Sequence, residues 1–561
     1  MLPMIRRRSF LAQIAAATAA VPKVARAAPP PQFIDVMRPP DHITIHSASA
    51  GGASLKQTPG VEVTAEPTRA GNSLVLPIHV SSPRTNLERI CLRWQGSLSD
   101  EWRLLGDHWE RSYGDLEWRC SVPNRVLPWY FLATSGAVTH GVGVKTGCAA
   151  FCSWQTDPQG ISLWLDLRNG GSAVELGERR LHAATVVTNH GAVPFQTACD
   201  LCRLLCDHPR LPESPVYGGN NWYYAYGVNT KAEDILRDSD LLAALAPPGT
   251  ANRPFMVIDM GWSVAPDGAA PLDKGNAGFP DLPGLANQMK QRGVRPGIWV
   301  RPLLTVENIP ESWRLSGNNL SAPLKAPFSV IDPSIPEALE HVRSSIHGVS
   351  EFGFELIKHD YSTYDILGRW GFQMNPDITN EGWHFADRTR TTAEIILNFY
   401  QALRDAVGDA MLLGCNTVGH LGAGLFELQR IGDDTSGREW ERTRKMGVNT
   451  LAFRLPQHRA FFDVDADCVP ITPEVPWERT RQWLDLVTRS GTALFVSADP
   501  KAAGPDQKQA IKAAFAVAAR RQPAPEPLGW LNTTAPENWR FGNSNAAYHW
   551  YDDQGASPFA S

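Results

Sequence analysis

From residue 215 onward the chain repeats one pattern: a short apolar run, a turn, and a stretch with helical spacing. The runs are Tyr217–Tyr223, Phe255–Asp259, Gly297–Arg301, Glu355–His359, Met411–Cys415, Leu428–Gly432, Thr450–Arg454 and Ala493–Ser497. Helical stretches at Leu285–Arg292, Ile335–Ile346 and Thr391–Val407 separate several of them. Parallel strands need long crossovers, which helices usually supply, so the alternation predicts a parallel sheet covered by helices. Eight units predict a (β/α)8 TIM barrel over residues 215–520. A doubly wound open sheet also alternates. No GxGxxG or GxxxxGK[ST] follows any run, however, which removes the support for nucleotide binding.

A barrel of this kind needs roughly 250 residues, so a chain of 561 has room for more than one domain. Residues 33–205 read as an antiparallel β-sandwich: runs such as Ser73–Val80 and Ile161–Leu167 alternate apolar and polar residues and are bounded by turn residues. Its tryptophans, Trp94, Trp102, Trp109, Trp118, Trp129, Trp154 and Trp164, are read mainly as core. Residues 521–561 form a short C-terminal appendage.

Residues 1–28 read as an export signal, in which Arg7-Arg8-Ser9-Phe10-Leu11 precedes an apolar Ala-rich stretch and resembles the twin-arginine pattern. The expected location is periplasmic or secreted. Removing the five cations of this segment takes the formal charge from −5 to −10. Long-range attraction to nucleic acid or anionic lipid is then disfavoured, whereas a neutral sugar is unaffected. No later apolar run approaches the ~18 residues of a membrane span. Nine cysteines are an odd number for a disulfide framework, and Cys199, Cys202 and Cys206 lack a second ligand pair, so no metal is expected.

Barrel chemistry collects at the C-terminal ends of strands. Carboxylates recur there: Asp259 after the second run, Asp360 after the fourth, Asp433-Asp434 after the sixth, and Asp463, Asp465 and Asp467 after the seventh. Two carboxylates roughly 5–5.5 Å apart cleave a glycosidic bond with retention, one as nucleophile and one as acid/base. Lys358, two residues before Asp360 and so on the same strand face, favours its ionised form. Asp434 beside Asp433 favours a proton on one of the two. A structural ion pair of Lys358 and Asp360 remains the alternative.

These motifs resemble the α-galactosidase-like glycoside hydrolases of families 27 and 36. Ile258-Asp259-Met260-Gly261-Trp262 is similar to their Asp-Asp-Gly-Trp, Gly297–Pro302 to Gly-Ile-Trp-Val-Glu-Pro, and Lys358-His359-Asp360 to Lys-Trp-Asp. Gly414-Cys415 resembles their Gly-Cys, Gly432–Thr435 their Ser-Asp-Asn-Thr, and Asp465-Ala466-Asp467 their Asp-Pro-Asp. The resemblance implies a retaining exo-glycosidase acting on an oligosaccharide or glycan by double displacement. Asp360 is then nucleophile and Asp433 acid/base. Asp259, Lys358, Cys415, Arg430 and Asp467 bind sugar or orient carboxylates, Trp222 and Trp262 are apolar walls, and no cofactor is required.

Three positions depart from the family. Met260 replaces an Asp that binds hydroxyls around C4 and C6 of galactose, which points to a C6-altered glycone such as β-L-arabinopyranose or to simple packing. Arg301 replaces Glu, and Cys468 blurs the same subsite. A raffinose-synthase-like transglycosylase and a non-catalytic carbohydrate-binding protein are the competing readings, and a homo-oligomer stays open.

Overall fold

The computed structural model describes residues 32–551, apart from 49, 72, 229, 316–318 and 320–324, together with 555 and 556. The export segment lies outside them.

Two antiparallel sheets occupy the N-terminal region. One contains His42–Ser47, Leu87–Gln95, Gly160–Asp166 and Phe151–Asp157; the other is built around Ser73–Ser82, Gly177–Gly191, Thr139–Val144 and Tyr130–Thr134. Period-two alternation explains the layering. In Ser73–Ser82, Leu76, Ile78 and Val80 are fully buried while Pro77 and His79 are half-exposed. Six of the seven sandwich tryptophans are buried, and only Trp164 is half-exposed. The helix Pro194–Leu205, with Pro at its first turn, buries Leu201, Cys202 and Leu205 against this region. All nine cysteines are free thiols.

The C-terminal region is a curled sheet of nine parallel strands. Seven follow chain order side by side: Tyr217–Asn220, Phe255–Ile258, Arg295–Val300, Leu356–His359, Met411–Gly414, Leu428–Arg430 and Asp463–Asp465. Leu494–Ala498 pairs with the first of these, and Val469–Ile471 with Leu494–Ala498. The sheet's two flanks also meet, where Ala493 N–H donates to Val464 C=O at 2.9 Å. Helices Leu282–Gln291, Pro336–Glu351, Thr392–Ala406 and Trp477–Ser490 lie between successive strands. Among the described residues no helix is long and apolar enough to cross a membrane. A three-stranded sheet, Glu526–Leu528, Asn538–Phe541 and Ser544–Ala547, forms the appendage.

One expected strand is a helix. Thr450–Arg454 continues a π-helical turn at Arg444–Asn449, and the strand pairing with Leu428–Arg430 is Asp463–Asp465. Leu451, Ala452 and Phe453 are buried on every side because the helix is wedged against the sandwich, and a short all-apolar run carries no period to separate helix from strand. Asp463–Asp465 has two acids in three residues, a composition depleted in strands.

This helix joins the two regions. Arg454 Nε donates to Asp107 Oδ1 at 2.6 Å and its Nη1 to Ile431 C=O at 2.9 Å, while Gln457 Nε2 donates to Asp107 Oδ2 at 2.9 Å. Both charges are buried, so removing one strands the other. Arg454→Met is expected to destabilise by about 3–5 kcal/mol, read as a lowered midpoint in urea unfolding followed by intrinsic fluorescence.

Candidate active site

The C-terminal ends of the parallel strands hold a network of charges built from short local signals. After the first strand, Asn220 and Asn221 turn the chain; Asn220 Nδ2 donates to Asp259 Oδ2 at 2.7 Å, and Asn221 Oδ1 accepts Asp259 N–H at 2.8 Å. Asp259 therefore arrives with its carboxylate fixed, and Lys358 Nζ pairs with Oδ2 at 2.7 Å. Gly261 follows at φ +115°, where an added Cβ would stand 2.7 Å from Gly227 O, so only glycine fits this turn.

In the fourth strand successive side chains alternate between faces. Lys358 and Asp360 point toward the strand ends' centre. His359 points outward between Phe399, Tyr400 and Phe426, and burial pushes its imidazole down to about 3, so it stays neutral. Asp360 is buried and accepts three N–H groups: Trp299 Nε1 at 3.0 Å, Tyr361 N at 2.7 Å and Asn416 N at 3.0 Å. Burial alone raises a carboxyl pKa, but the charges of Lys358 and Arg111 and these donors outweigh it and hold Asp360 below the usual range. Burial likewise opposes the charge on Lys358, and Asp259 outweighs it.

Arg430 ends the sixth strand at 2% exposure. Its guanidinium pairs with Asp467 at 2.5 Å and Asp434 at 2.8 Å, and it donates to Tyr223 Oη at 3.2 Å and Cys415 Sγ at 3.7 Å. Asp467, at φ +75°, also accepts the Thr435 N–H at 2.7 Å, its hydroxyl at 2.8 Å, and the Tyr223 hydroxyl.

The tandem acids differ. Asp433 has both oxygens engaged, Oδ1 by Arg111 at 2.8 Å and Oδ2 by Arg442 at 2.7 Å, and its side chain is 15% exposed. Asp434 bonds Arg430 through Oδ1, and its side chain is 38% exposed. Burial in the packed rim pushes the Asp434 carboxyl up, but Arg430, Arg111 and Lys358 together pull it below the usual range, while the charge of Asp360 opposes them. Asp434, rather than Asp433, is thus the more open of the two acids, and it lies within the electrostatic reach of Asp360.

Of the residues singled out in the sequence, Asp259, Lys358, Asp360, Cys415, Arg430 and Asp467 form one connected cluster. Met260 adjoins it, half-buried, with its N–H on Asp259 Oδ1 at 2.9 Å. Trp222 lies half-buried at the rim, edge-on to Tyr226. Trp262 is not an open wall: at 1% exposure it donates to the Trp299 carbonyl at 2.8 Å and braces Trp299. Arg301 turns away from the cluster into a buried pair with Asp365 at 2.6 Å, under the ring of Tyr361. Trp299, Asn416, Tyr223, Glu110 and Arg111 belong to the site without having been singled out; the last two come from the sandwich, where nothing in their spacing marks them. The wide groove of about 930 Å³ lined by Lys145, Arg179, Asp207 and Glu394 contains none of these acids, and its cations are internally paired.

No protein-family model and no curated protein matches the chain. Solved structures do. The α-galactosidase TtGalA of Thermus thermophilus, in complex with p-nitrophenyl α-D-galactopyranoside, superposes with a TM-score of 0.60 at 18% identity, over 90% of this chain and 99% of that one. The GH36 α-galactosidase AgaA of Geobacillus stearothermophilus, as its A355E variant with 1-deoxygalactonojirimycin, gives 0.55 at 14%, over 82% and 67%. The α-galactosidase of Lactobacillus brevis gives 0.54 at 12%, over 85% and 72%. The chain shares the α-galactosidase fold.

Asp465 stands in register with Arg430 on the adjacent strand, and among the described residues it makes no salt bridge. Burial pushes its carboxyl up to about 6, with Arg430 opposing and Asp467 adding to the rise. A folded-state pKa above the unfolded value means that the native state binds more protons between about pH 4 and 6, so this group's contribution to stability falls as pH rises through that window. Asp465→Asn removes the effect. The variant is expected to match wild type near pH 4 and to exceed it by up to about 3 kcal/mol at pH 7, measured by urea unfolding at both pH values.

Proposed function

We propose that the chain is a retaining exo-glycosidase of α-galactosidase type on a (β/α)8 barrel, with Asp360 as nucleophile and Asp434 as acid/base. The observation that carries it is Asp360 itself: an ionised carboxylate held by three N–H donors, with a second, more open carboxylate within its electrostatic reach. The α-galactosidase fold of the solved neighbours supports the reaction class. For the acid/base, Asp434 takes the place that the sequence motif assigned to Asp433, because both Asp433 oxygens are committed to arginines and neither is left for a leaving group.

In the first step an Asp360 oxygen bonds to the anomeric carbon as the glycosidic C–O bond breaks, and Asp434 gives its proton to the departing oxygen. In the second, Asp434 takes a proton from water, whose oxygen displaces Asp360. The electrostatics suit both directions. While Asp360 is anionic it favours a proton on Asp434; once Asp360 is esterified that influence vanishes, and the cations favour Asp434 as a base. Three cations around the acid favour its ionised form, so activity is expected to fall as pH rises and the acid loses its proton.

Asp259 and Lys358 are proposed to bind sugar hydroxyls, with Asp467 and Cys415 beside them. Met260 offers no hydroxyl partner at the position that reads C6, so the proposed glycone is α-galactosyl or a C6-altered relative such as β-L-arabinopyranosyl. The export reading of residues 1–28 places the reaction outside the cytoplasm and stands on the sequence alone.

The test is a panel of nitrophenyl glycosides, including the α-galactoside and β-L-arabinopyranoside, on wild type and the Ala variants of Asp360, Asp433 and Asp434. Asp360→Ala is expected to lose activity and regain it with azide, giving an inverted glycosyl azide. Asp434→Ala is expected to lose about 10²–10⁴-fold and to yield the retained azide. A retained azide from Asp433→Ala instead would return the role to Asp433, and full activity of Asp360→Ala would sink the scheme.

A further inference from the structure

The sandwich reaches the strand ends through one loop. Ser112 runs parallel to Gly432, its N–H donating to Ile431 C=O and its C=O accepting Asp433 N–H, both at 2.8 Å; its hydroxyl lies 2.7 Å from that of Thr450. The loop backbone is thereby fixed to the segment carrying the tandem acids. Glu110, buried, accepts the Gly371 N–H at 2.8 Å and bonds Asn416 Nδ2, and Asn416 is the residue whose N–H holds Asp360. Arg111, with its side chain 7% exposed, pairs with Asp433 at 2.8 Å and stands 3.7 Å from Asp434, its guanidinium carbon 5.4 Å from the Trp370 ring centre and 5.9 Å from that of Tyr113.

We propose that Arg111 is a positioning residue for the acid/base step: it draws Asp433 into a clamp with Arg442 and leaves Asp434 as the carboxylate presented beside Asp360. The reactive centre is therefore a two-domain assembly, complete only with the sandwich docked on the strand ends. Adjacent acids cannot both occupy one rim without repulsion, and a planar fork fixed by two rings sorts them by direction. The inference rests on the roles proposed above for Asp360 and Asp434. Asp434 is faced by the cations Arg430, Arg111 and Lys358 and the anion Asp360, with Tyr223 and Tyr361 nearby. Removing Arg111 leaves the other two cations in place.

The full-length wild type, Arg111→Gln and Arg111→Lys are assayed across pH on two aryl α-galactosides, phenyl and dinitrophenyl; the second leaving group departs without a proton. Arg111→Gln is expected to lose about 10²-fold in kcat/KM on the phenyl glycoside and less than about tenfold on the dinitrophenyl one. Its basic limb is expected to move up by about one pH unit, because a cation that favoured the ionised acid is gone. Arg111→Lys keeps the charge and restores most of the limb's position. Equal losses on both substrates with an unmoved profile would mark Arg111 as merely structural and overturn the inference. Thermal unfolding checks each variant; should Arg111→Gln fail to fold, the ratio of losses in Arg111→Lys decides, a selective loss on the phenyl glycoside supporting the inference and an equal one overturning it. A wild type inactive on all glycosides would overturn the proposed function and this inference together, whereas an active wild type with uniform losses overturns the inference alone.

Discussion

Burying Arg430 at the centre of the strand ends obliges the elements around it to supply partners. A guanidinium at 2% exposure is tolerated only where its charge is matched and its N–H groups are bonded. Asp467, Asp434, Tyr223 and Cys415 answer that need from four different segments. Lys358, on the fourth strand, and Asp259, after the second, form a further buried ion pair at the same strand ends. Positions that look like a set of independent motifs in the sequence are thus one electrostatic unit, in which Asp259, Asp434 and Asp467 are each paired to a buried cation and Asp360 is held by three N–H groups.

Much of this was legible in the chain. Seven of the eight expected runs contain strands, most of them apolar up to a polar strand end; Leu428-Gln429-Arg430 departs from that pattern, its buried polar side chains being held by hydrogen bonds and ion pairs. Thr450–Arg454 broke the rule because a helix buried on all sides has the same composition. Asp463–Asp465 was passed over because its strand carries the acids themselves. Asp259, Lys358, Asp360 and Arg430 were recoverable from strand-end position. The different surroundings of Asp433 and Asp434 were not: neighbouring residues leave a strand in different directions, and Arg111, which engages Asp433, lies more than 300 positions away in the chain. Long-range partners of this kind leave no local spacing to read.

On the roles proposed above, the docking of the sandwich serves the chemistry as well as stability. Arg454 with Asp107 and Ser112 with Gly432 fix the loop, Glu110 bonds the side chain of Asn416, whose N–H holds Asp360, and Arg111 is proposed to sort the tandem acids. Met260 adjoins this unit, its backbone N–H donating to Asp259. On the proposed reading, the edge at Met260 can vary while the carboxylates of the centre are held by many mutual constraints.

The central claim is that Asp360 forms a covalent bond to the sugar. Incubation with a 2-deoxy-2-fluoroglycosyl fluoride of the preferred substrate, followed by intact mass and peptide mapping, tests it directly. A single added fluoroglycosyl mass on the peptide carrying Asp360 is expected; no adduct, or an adduct on Asp433 or Asp434, would overturn that role.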